Sequence, residues 1–306
     1  MNILLTGASG FIGKHFLQLI DQSMYKVYAL TRNPEKLKGI LPDEQVIKGD
    51  LQCAEEMNKA LSGIAIVVHA AAEIRNYDNI EKTNVKGTEN LISAMKLNHV
   101  KRIIHLSSVG VVGMQFSFSP VLVDEKHECS PKNKYEETKY AAEQLLRKKS
   151  KEEQFNLSII RPTNVFGEAH PRNALLKLAG HIKKGYPIFT VRGAYYNYVY
   201  VKDVVALMIN LTAQHHHTGV VNIGEAVSVS EICKLIATEL GVKSKVYFLP
   251  SWLWKCMVKC GVKLFVSFIN KVKYSDAKLK HSFTYSYGVK TGIRQTLTYF
   301  QNKGVL

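Results

Sequence analysis

The sequence predicts an α/β fold, a doubly wound parallel sheet followed by a smaller C-terminal lobe. Over the first two thirds of the 306 residues, short apolar runs alternate with longer amphipathic segments, a pattern that builds a parallel sheet with helices on both faces. A glycine-rich turn joins the first apolar run to the first amphipathic segment. The composition, 46% hydrophobic and 22% charged, is typical of a folded chain, which excludes disorder as the main state.

The apolar runs that predict strands are short and rich in β-branched residues. They lie at Ile3–Leu5, Lys26–Leu30, Gln45–Ile47, Ala65–His69, Arg102–Leu106 and Leu157–Ile160. The intervening segments open or close with Gly, Pro, Asn or Ser and predict helices. These segments are Phe11–Asp21, Pro34–Lys38, Ala54–Leu61, Ile80–Leu97 and Lys134–Lys151. After Pro162 the pieces become shorter and mixed; they include 204–211, 220–223 and 229–240.

The strongest motif is TGASGFIG at 6–13, where the first strand meets the first helix. Gly7 permits a tight turn, Gly10 lets a pyrophosphate approach the backbone, and Gly13 allows the helix to pack closely on the strand. The N–H groups at the start of the helix, from Phe11 and Ile12 onward, and the helix dipole favour bound phosphate. This placement predicts a dinucleotide-binding Rossmann domain.

The end of the second strand bears on which nicotinamide cofactor is used. No acid stands in Thr31-Arg32-Asn33, where a carboxylate would hold the ribose hydroxyls of NAD, and Arg32 could instead pair with the 2′-phosphate of NADP. We therefore expect NADP to be preferred, with NAD possible.

Other small or polar residues at strand ends complete the expected cofactor site. Asp50 and Leu51 follow the third strand, and the Asp50 carboxylate could accept from the adenine amino group; its alternative role is to cap the helix near Cys53. Ala70 and Ala71 end the fourth strand and leave room for the cofactor. We also expect Pro162 to border the cofactor.

An acid/base set follows from three residues. Tyr135 and Lys139 are four residues apart on one helical face, where the ammonium is expected to lower the pKa of the phenol. Tyr–Lys pairs at this spacing also occur by chance elsewhere in the chain. Tyr135 stands out because its helix follows the fifth strand, whose end carries Ser107 and Ser108. Ser108 would bind the substrate oxygen while Tyr135 transfers the proton.

These motifs divide the chain into two domains. Residues 1–162, with contributions from about 197–223, are predicted to form the dinucleotide-binding domain, and 163–306 mainly a substrate-binding lobe.

With these motifs, the chain resembles the extended short-chain dehydrogenases/reductases of the NAD-dependent epimerase/dehydratase family. The resemblance extends along essentially the whole length of the chain. Beyond the residues above, the resemblance covers 69–71, 84–88, 106–108, 161–167, 198–204 and 221–224. It implies that Ser108 is the substrate hydrogen-bond donor, that Asn164 contacts substrate, and that Asn84 and Asp203 hold loops. It also implies a homodimer built from the Asn84 and Tyr135 helices.

The sequence leaves three possible functions open. Hydroxysteroid dehydrogenases and dihydroflavonol-type reductases resemble the chain at Arg161-Pro162 and Asn197, which favours an oxidoreductase acting on a secondary alcohol or ketone of a small, hydrophobic substrate. Nucleotide-sugar epimerases and dehydratases are the alternative, but the arginine they usually carry before the aromatic of a later strand is absent from 195–198. A cofactor-sensing protein without turnover is the third reading, disfavoured by the intact Ser, Tyr and Lys.

The charge distribution and the cysteine and histidine patterns argue against nucleic-acid and metal partners. The net charge of +16 arises from dispersed lysines, so we expect no nucleic-acid partner. The five cysteines form no CxxC pair, and His215–His217 cannot easily share one tetrahedral ion, so no metal is expected. With no secretory signal pattern, we expect a cytoplasmic location.

The apolar segment 252–266 carries a narrow basic stripe formed by Lys255, Lys259 and Lys263. Three roles are open for this segment: a helix buried in the core, a lid over the substrate, or a peripheral membrane contact.

Overall fold

The computed structural model describes residues 1–114, 116–170, 174–214, 218–254 and 269–306. The chain divides into two compact units. The first comprises 1–113, 128–162 and 204–221, and the second comprises 114–127, 163–203 and 222–306.

Strands in the described residues are numbered along the chain. They are β1 (Asn2–Thr6), β2 (Lys26–Thr31), β3 (Val46–Lys48), β4 (Ile66–His69), β5 (Arg102–Leu106), β6 (Val121–Val123), β7 (Asn156–Pro162), β8 (Asn164–Phe166), β9 (Ile188–Thr190), β10 (Tyr195–Tyr200), β11 (Gly219–Ile223), β12 (Glu225–Ser228), β13 (Val246–Phe248) and β14 (Val272–Tyr274).

Helices are numbered in the same way. They are α1 (Phe11–Leu19), α2 (Ala54–Ala60), α3 (Tyr77–Glu81), α4 (Gly87–Leu97), α5 (Lys134–Glu152), α6 (Ala174–Lys183), α7 (Val201–Ala213), α8 (Val229–Glu239), α9 (Ala277–Lys280) and α10 (Gly288–Asn302). A π-helical turn, Lys82–Lys86, joins α3 to α4.

The central sheet has seven strands in the order β11-β7-β5-β4-β1-β2-β3. From β7 to β3 every neighbouring pair is parallel. The order reverses between β1 and β4, and in such sheets the carboxyl ends of the strands around this point form the ligand-binding edge. The predicted doubly wound α/β fold is confirmed.

The inner strands are buried on both faces, as their unbroken apolar runs predict. Residues Ile3 to Thr6 of β1 and all of β4 are inaccessible or nearly so, and α2 and α4 pack over them through Met57, Leu91 and Met95. This packing fixes the positions of the β1, β4 and β5 ends, where the functional residues stand.

The second unit contains smaller sheets. β12, β10 and β8 form a three-stranded sheet, while β13 pairs with β9 and β14 pairs with β6. Asp203 is buried at the start of α7 and accepts hydrogen bonds from the backbone N–H groups of Tyr287 and Gly288, at the N-terminus of α10. The Glu225 carboxylate accepts from Val289 N in the next position. Two carboxylates from distant segments therefore hold the start of α10.

No helix within the described ranges is long and apolar enough to span a membrane. Of the segment 252–266, Trp252 to Trp254 are helical, with Trp252 exposed and Trp254 buried; 255–266 lie outside the described residues, as do His215 to His217.

Candidate active site

The glycine-rich turn adopts the geometry that its sequence requires. Gly7 has φ +73°, and Gly10 N donates to Gly7 O at 2.9 Å. A Cβ at Gly7 would lie 2.6 Å from Ala71 N, and a Cβ at Gly13 would overlap the Gly7 carbonyl oxygen. Glycine is thus needed at Gly7 for its backbone conformation and at Gly13 for the contact of α1 with the turn.

The start of α1 fits a dinucleotide pyrophosphate. Gly10 is the N-cap residue, and among the described residues no side chain caps this end. The first turn carries no acidic side chain, and Phe11 and Ile12 are half-buried. Backbone N–H groups and the positive end of the helix dipole are therefore available to a phosphate.

A buried hydrogen-bonded chain supports this turn from below. Thr88 Oγ1 donates to Asn84 O at 2.7 Å, so it must accept from His69 Nε2, 3.1 Å away. His69 Nδ1 is then the acceptor for Thr6 Oγ1 at 2.7 Å, and Thr6 Oγ1 accepts from Ala71 N. This chain fixes one neutral tautomer of His69 and holds the β4 end, with the backbone of Ala70 and Ala71, against Gly7.

Arg32 is exposed at the end of β2, while Thr31 beside it is buried. Thr31 Oγ1 accepts from Asn33 N, which orders the turn after the strand. Glu73 is the anion near Arg32: its carboxylate accepts from the N–H groups of Ile74, Arg75 and Asn76, which together with the Arg32 charge lower the pKa of Glu73. The Arg32 charge thus acts on the Glu73 carboxylate.

Asp50 begins a turn rather than capping α2. Its Oδ1 accepts from Gln52 N at 3.0 Å, whereas the N-cap residue of α2, Cys53, receives no side-chain cap from the described residues. Asp50 is half-buried, and Leu51 is buried with its carbonyl oxygen bound by Asn90 Nδ2. The helix-cap alternative for Asp50 is therefore replaced by a turn-forming role that leaves its second carboxylate oxygen available.

Ser108 lies directly after β5. It adopts extended backbone angles, and its Oγ accepts from Gly110 N at 3.0 Å. The neighbouring Ser107 is buried, and its Oγ has no hydrogen-bond partner within the described ranges. The half-buried Ser108 hydroxyl therefore keeps its proton available for another acceptor.

Helix α5 packs its first turns against this segment. Asn133 Oδ1 caps the helix through Glu136 N, and Glu136 Oε2 accepts from Lys132 N at 2.7 Å. The Glu136 side chain lies beside Gly110. One turn later, the buried Lys139 Nζ donates to Leu106 O at 2.6 Å. The end of β5 and the first two turns of α5 thus bring Ser108, Tyr135 and Lys139 to the same region of the first unit.

The pKa of Tyr135 differs from the expected direction. Burial, followed by the charge of Glu136, raises the pKa of Tyr135 to about 12. Burial also lowers the pKa of Lys139 to about 8, against the smaller opposing effect of Glu143. The expectation of a phenol pKa lowered by Lys139 was wrong for this arrangement, because burial and the Glu136 charge both raise the pKa of Tyr135 and Lys139 Nζ donates to Leu106 O.

Asn84 occupies the π-helical turn and joins three segments. Its Oδ1 accepts from Glu73 N at 2.8 Å, and its Nδ2 donates to Glu73 O and to Thr138 Oγ1. The extra residue of a π turn leaves backbone groups outside the regular helical pattern and is frequent at functional sites. Asn84 therefore positions the loop at Glu73 relative to α5.

Pro162 and Asn164 belong to different units. Pro162 is buried at the end of β7 in the first unit. In the second unit, Asn164 is exposed and its Nδ2 donates to Asn197 O at 3.0 Å. Asn197 is itself buried, donating to Val272 O and accepting from Tyr274 N. Among the described residues Asn164 Oδ1 has no hydrogen-bond partner, whereas the side-chain nitrogen and oxygen of Asn197 are both bonded within the second unit.

Sequence reasoning missed a buried ion pair behind the site. Arg161 Nη2 and Nε bind the two Glu143 oxygens at 2.6 and 2.9 Å, and both residues are almost inaccessible. Two signals could have found it: Glu143 lies four residues after Lys139 on α5, and Arg161 is the charged residue of a strand whose other residues are uncharged. The pair joins α5 to β7.

The comparisons with known proteins agree with this geometry. The model of the NAD dependent epimerase/dehydratase family matches residues 3–224. An N-acetyl-α-D-glucosaminyl-diphospho-ditrans,octacis-undecaprenol 4-epimerase of Escherichia coli O157:H7 is 36% identical over 218 residues, which are 67% of this chain and 61% of that protein. The chain thus matches less than two thirds of that relative. A decarboxylating sterol-4-α-carboxylate 3-dehydrogenase of Candida albicans is 30% identical over 54% of this chain and 51% of its own length.

Solved structures share the fold over the whole chain. The UDP-glucuronic acid 4-epimerase of Bacillus cereus, in complex with NAD, superposes with a TM-score of 0.78 at 21% identity and covers 99% of both chains. The UDP-glucose 4-epimerase of Thermotoga maritima, with UDP-glucose, gives a TM-score of 0.75 at 23% identity and the same coverage. With the family model matching most of the chain, the protein belongs to the NAD-dependent epimerase/dehydratase family and has the extended short-chain dehydrogenase/reductase fold.

Proposed function

We propose that this enzyme moves hydride between a nicotinamide cofactor and a secondary alcohol or ketone carbon of its substrate, with Ser108, Tyr135 and Lys139 as the catalytic set. The observation that carries the proposal is the packing of α5 against the end of β5, where Lys139 Nζ binds Leu106 O two residues before Ser108. This set stands in the same unit as the glycine-rich turn.

Each residue has a distinct task. The Ser108 hydroxyl donates a hydrogen bond to the substrate oxygen. This bond stabilises the negative charge that develops on the oxygen during proton transfer. The Tyr135 phenol transfers that proton; with a pKa of about 12 it is protonated at neutral pH and ready to donate to a ketone oxygen. Lys139 keeps a positive charge beside the phenol in most molecules at pH 7, since its pKa is about 8.

The cofactor site draws on the residues around the β1 and β2 ends. A bound nicotinamide ring supplies or accepts the hydride. The N-terminus of α1, from Phe11 to Gly13, would bind the pyrophosphate, and the backbone of Ala70 and Ala71, with Pro162, would border the ring side. Asp50 would meet the adenine amino group, with Leu51 beside it, and Arg32 would favour NADP over NAD.

For the substrate, we propose a sugar carried on a diphosphate, with inversion of a hydroxyl-bearing carbon. The relative with 36% identity bears the name of a 4-epimerase of a diphosphate-linked sugar, and the matched fold structures carry nucleotide-sugar epimerase titles. Epimerisation moves the proton twice: Tyr135 in its phenolate form, a minor fraction at neutral pH with a pKa of about 12, would take the proton from the substrate hydroxyl and would then return it to the ketone oxygen. The free oxygen of Asn164 is the proposed sugar contact.

A net dehydrogenase or reductase acting on a hydrophobic secondary alcohol or ketone is the second candidate. The stretch 195–198 contains no arginine for a diphosphate, and the Asn197 amide is engaged with Val272 and Tyr274. The sterol dehydrogenase relative supports the same reading. A cofactor sensor without turnover is disfavoured, because a sensor would not need the Ser108, Tyr135 and Lys139 set.

One experiment separates these functions. The purified protein is assayed for bound nucleotide, and then incubated with UDP-N-acetylglucosamine by itself and with a panel of sterol and flavonoid ketones plus NADPH. Epimerisation predicts retained cofactor and a new sugar isomer by NMR without added cofactor. A reductase predicts stoichiometric NADPH consumption and no isomer. Failure of both reactions, with cofactor-induced stabilisation of roughly 2.7 kcal/mol at 100 times the Kd, would support the sensor.

We also expect a homodimer through α4 and α5, and a cytoplasmic location. Light scattering at several concentrations tests the first, and a monomer mass at all of them would contradict it.

A further inference from the structure

Two stretches of the sequence lack acidic residues. No Asp or Glu occurs between Glu168 and Asp203, or between Glu239 and Asp276, although both stretches contain several lysines and the first also contains two arginines. An excess of one sign of charge over such lengths produces a positive field wherever the fold brings the stretches together.

The fold of the second unit joins these stretches directly. β9 belongs to the first and β13 to the second, and the two strands pair in parallel, with Phe189 opposite Tyr247. Ile188 N donates to Lys245 O, and Leu249 N donates to Thr190 O, both at 2.8 Å. One small sheet therefore joins the two stretches that lack acidic residues.

This small sheet exposes large aromatic side chains: Phe189 and Tyr247 are opposite each other in the register and share one face, and Phe248 is the last residue of β13. Ile188 and Thr190 are buried, whereas the alternate residue Phe189 is 43% exposed, and Tyr247 and Phe248 are 51% and 45% exposed. The rings of Phe189 and Tyr247 lie 5.8 Å apart. Four residues after Phe248, Trp252 is exposed as well. Clustered exposed apolar side chains of this size mark an interaction surface.

Basic side chains surround these rings. The Arg192 guanidinium lies 5.4 Å from the centre of the Phe248 ring. Lys243 and Lys245 are exposed on the chain that enters β13, and Lys245 Nζ lies close to Gly185, next to β9. Phe189, Arg192, Lys243, Lys245, Tyr247 and Phe248 are called the aromatic–basic surface below.

We propose that the aromatic–basic surface docks on an anionic lipid membrane. Aromatic rings that enter the headgroup region and Lys or Arg side chains that meet acidic headgroups are the two components of interfacial binding. Single-stranded nucleic acid needs open ring faces for stacking. Here Phe189 and Tyr247 face each other and Arg192 covers Phe248, which favours the membrane.

The test is flotation of the full-length protein with vesicles of phosphatidylcholine, with and without phosphatidylglycerol. We expect binding to the anionic vesicles only, weakened by salt. The variant R192E/K243E/K245E should lose about a hundredfold in affinity, because each basic side chain near an acidic surface contributes roughly fivefold. The variant F189S/Y247S should lose the part of the binding that survives high salt.

The control is K59E/K126E/K290E, which has the same change of net charge at exposed positions outside the surface. It should retain most of the binding, and thermal unfolding of all variants checks that each is folded. The proposal is overturned if the two triple variants bind the anionic vesicles equally, or if the wild-type protein does not bind them at low salt. It is also overturned if single-stranded RNA displaces the wild-type protein from the vesicles and the variant R192E/K243E/K245E no longer binds that RNA. No substrate or cofactor enters this test, so its outcome is independent of the proposed reaction.

Discussion

Removal of the Tyr135 hydroxyl group should affect catalysis and leave cofactor binding unchanged. Tyr135→Phe removes the group that transfers the proton and leaves the ring in place, so kcat should fall on the order of 10² to 10⁴ with cofactor affinity unchanged. Tyr140→Phe, on the same helix, is the matched control and should keep its activity. Stopped-flow assays and calorimetry with the cofactor measure the two quantities. A Tyr135→Phe enzyme that retains more than about a tenth of kcat would remove Tyr135 from the proposed set.

Arg32 tests the choice of cofactor. A charge-assisted pair with the 2′-phosphate is worth about 1.5 to 3 kcal/mol, so NADP should bind roughly ten to a hundred times more tightly than NAD. Arg32→Ala should abolish the difference, while Lys36→Ala, on the exposed turn that follows, should preserve it. The readout is the ratio of the two dissociation constants by calorimetry. Equal constants in the wild type would mean that Glu73, not a phosphate, holds Arg32.

The residues of the site were predictable to different degrees. The glycines, Ser108, Tyr135 and Lys139 stand at fixed offsets from strand and helix ends, so the local pattern located them. The phenol pKa was not predictable, since it depends on how deeply α5 packs, and a sequence does not give burial depth.

At the level of elements, the ion pair between α5 and β7 has a measurable role. Glu143→Gln leaves the Arg161 guanidinium buried without its counter-charge, which should lower the free energy of unfolding by about 3 to 5 kcal/mol. Arg147→Ala is the control: its Nη2 lies 3.9 Å from the same carboxylate but its side chain is about half exposed, so the loss should stay within about 1 kcal/mol. Urea unfolding of both variants measures the two free energies of unfolding. Similar losses in the two variants would show that burial does not determine how much the Arg161–Glu143 ion pair contributes to stability.

The strands of the central sheet and the amphipathic helices of the first unit were predicted well, whereas the three-residue strands of the second unit were not predicted. β5 has the predicted bounds, and α1, α2 and α5 differ from them by one or two residues. The helix expected to begin at Ile80 begins at Tyr77 and contains the π turn, because Asn84 bonds to Glu73 and Thr138. β6 and β14 have three residues each and pair across about 150 positions. Such pairs leave no local periodicity in the sequence.

The whole molecule should be sensitive to acid because of two buried histidines. Burial, followed by the Lys139 charge, lowers the pKa of His69 from 6.5 to about 3 and that of His105 well below 6.5. Both are neutral in the folded protein but take up protons below pH 6.5 when unfolded. Stability is therefore fully present above pH 6.5 and is lost as the pH falls towards the folded pKa values. The two together should cost about 4 kcal/mol at pH 5.

His105→Phe distinguishes this effect from general acid unfolding. Among the described residues His105 has no hydrogen-bond partner, so phenylalanine of similar shape should cost little at pH 7. It should remove about 2 kcal/mol of the loss between pH 7 and 5, measured by urea unfolding across that range. The exposed His281→Phe should leave the pH dependence unchanged. An unaltered slope in His105→Phe would mean that this histidine is protonated in the folded state.

The carboxylates that hold the start of α10 impose an order on folding during synthesis. The first unit ends at residue 221, so all of its chain is available once that residue has left the ribosome. Asp203 is made earlier, yet its N–H partners at Tyr287 and Gly288 are among the later residues. From the time residue 221 leaves the ribosome until Gly288 does, the nascent chain should hold a folded first unit and an incomplete second unit. Chaperones should therefore meet the second unit, and stalled chains of that length should already bind cofactor.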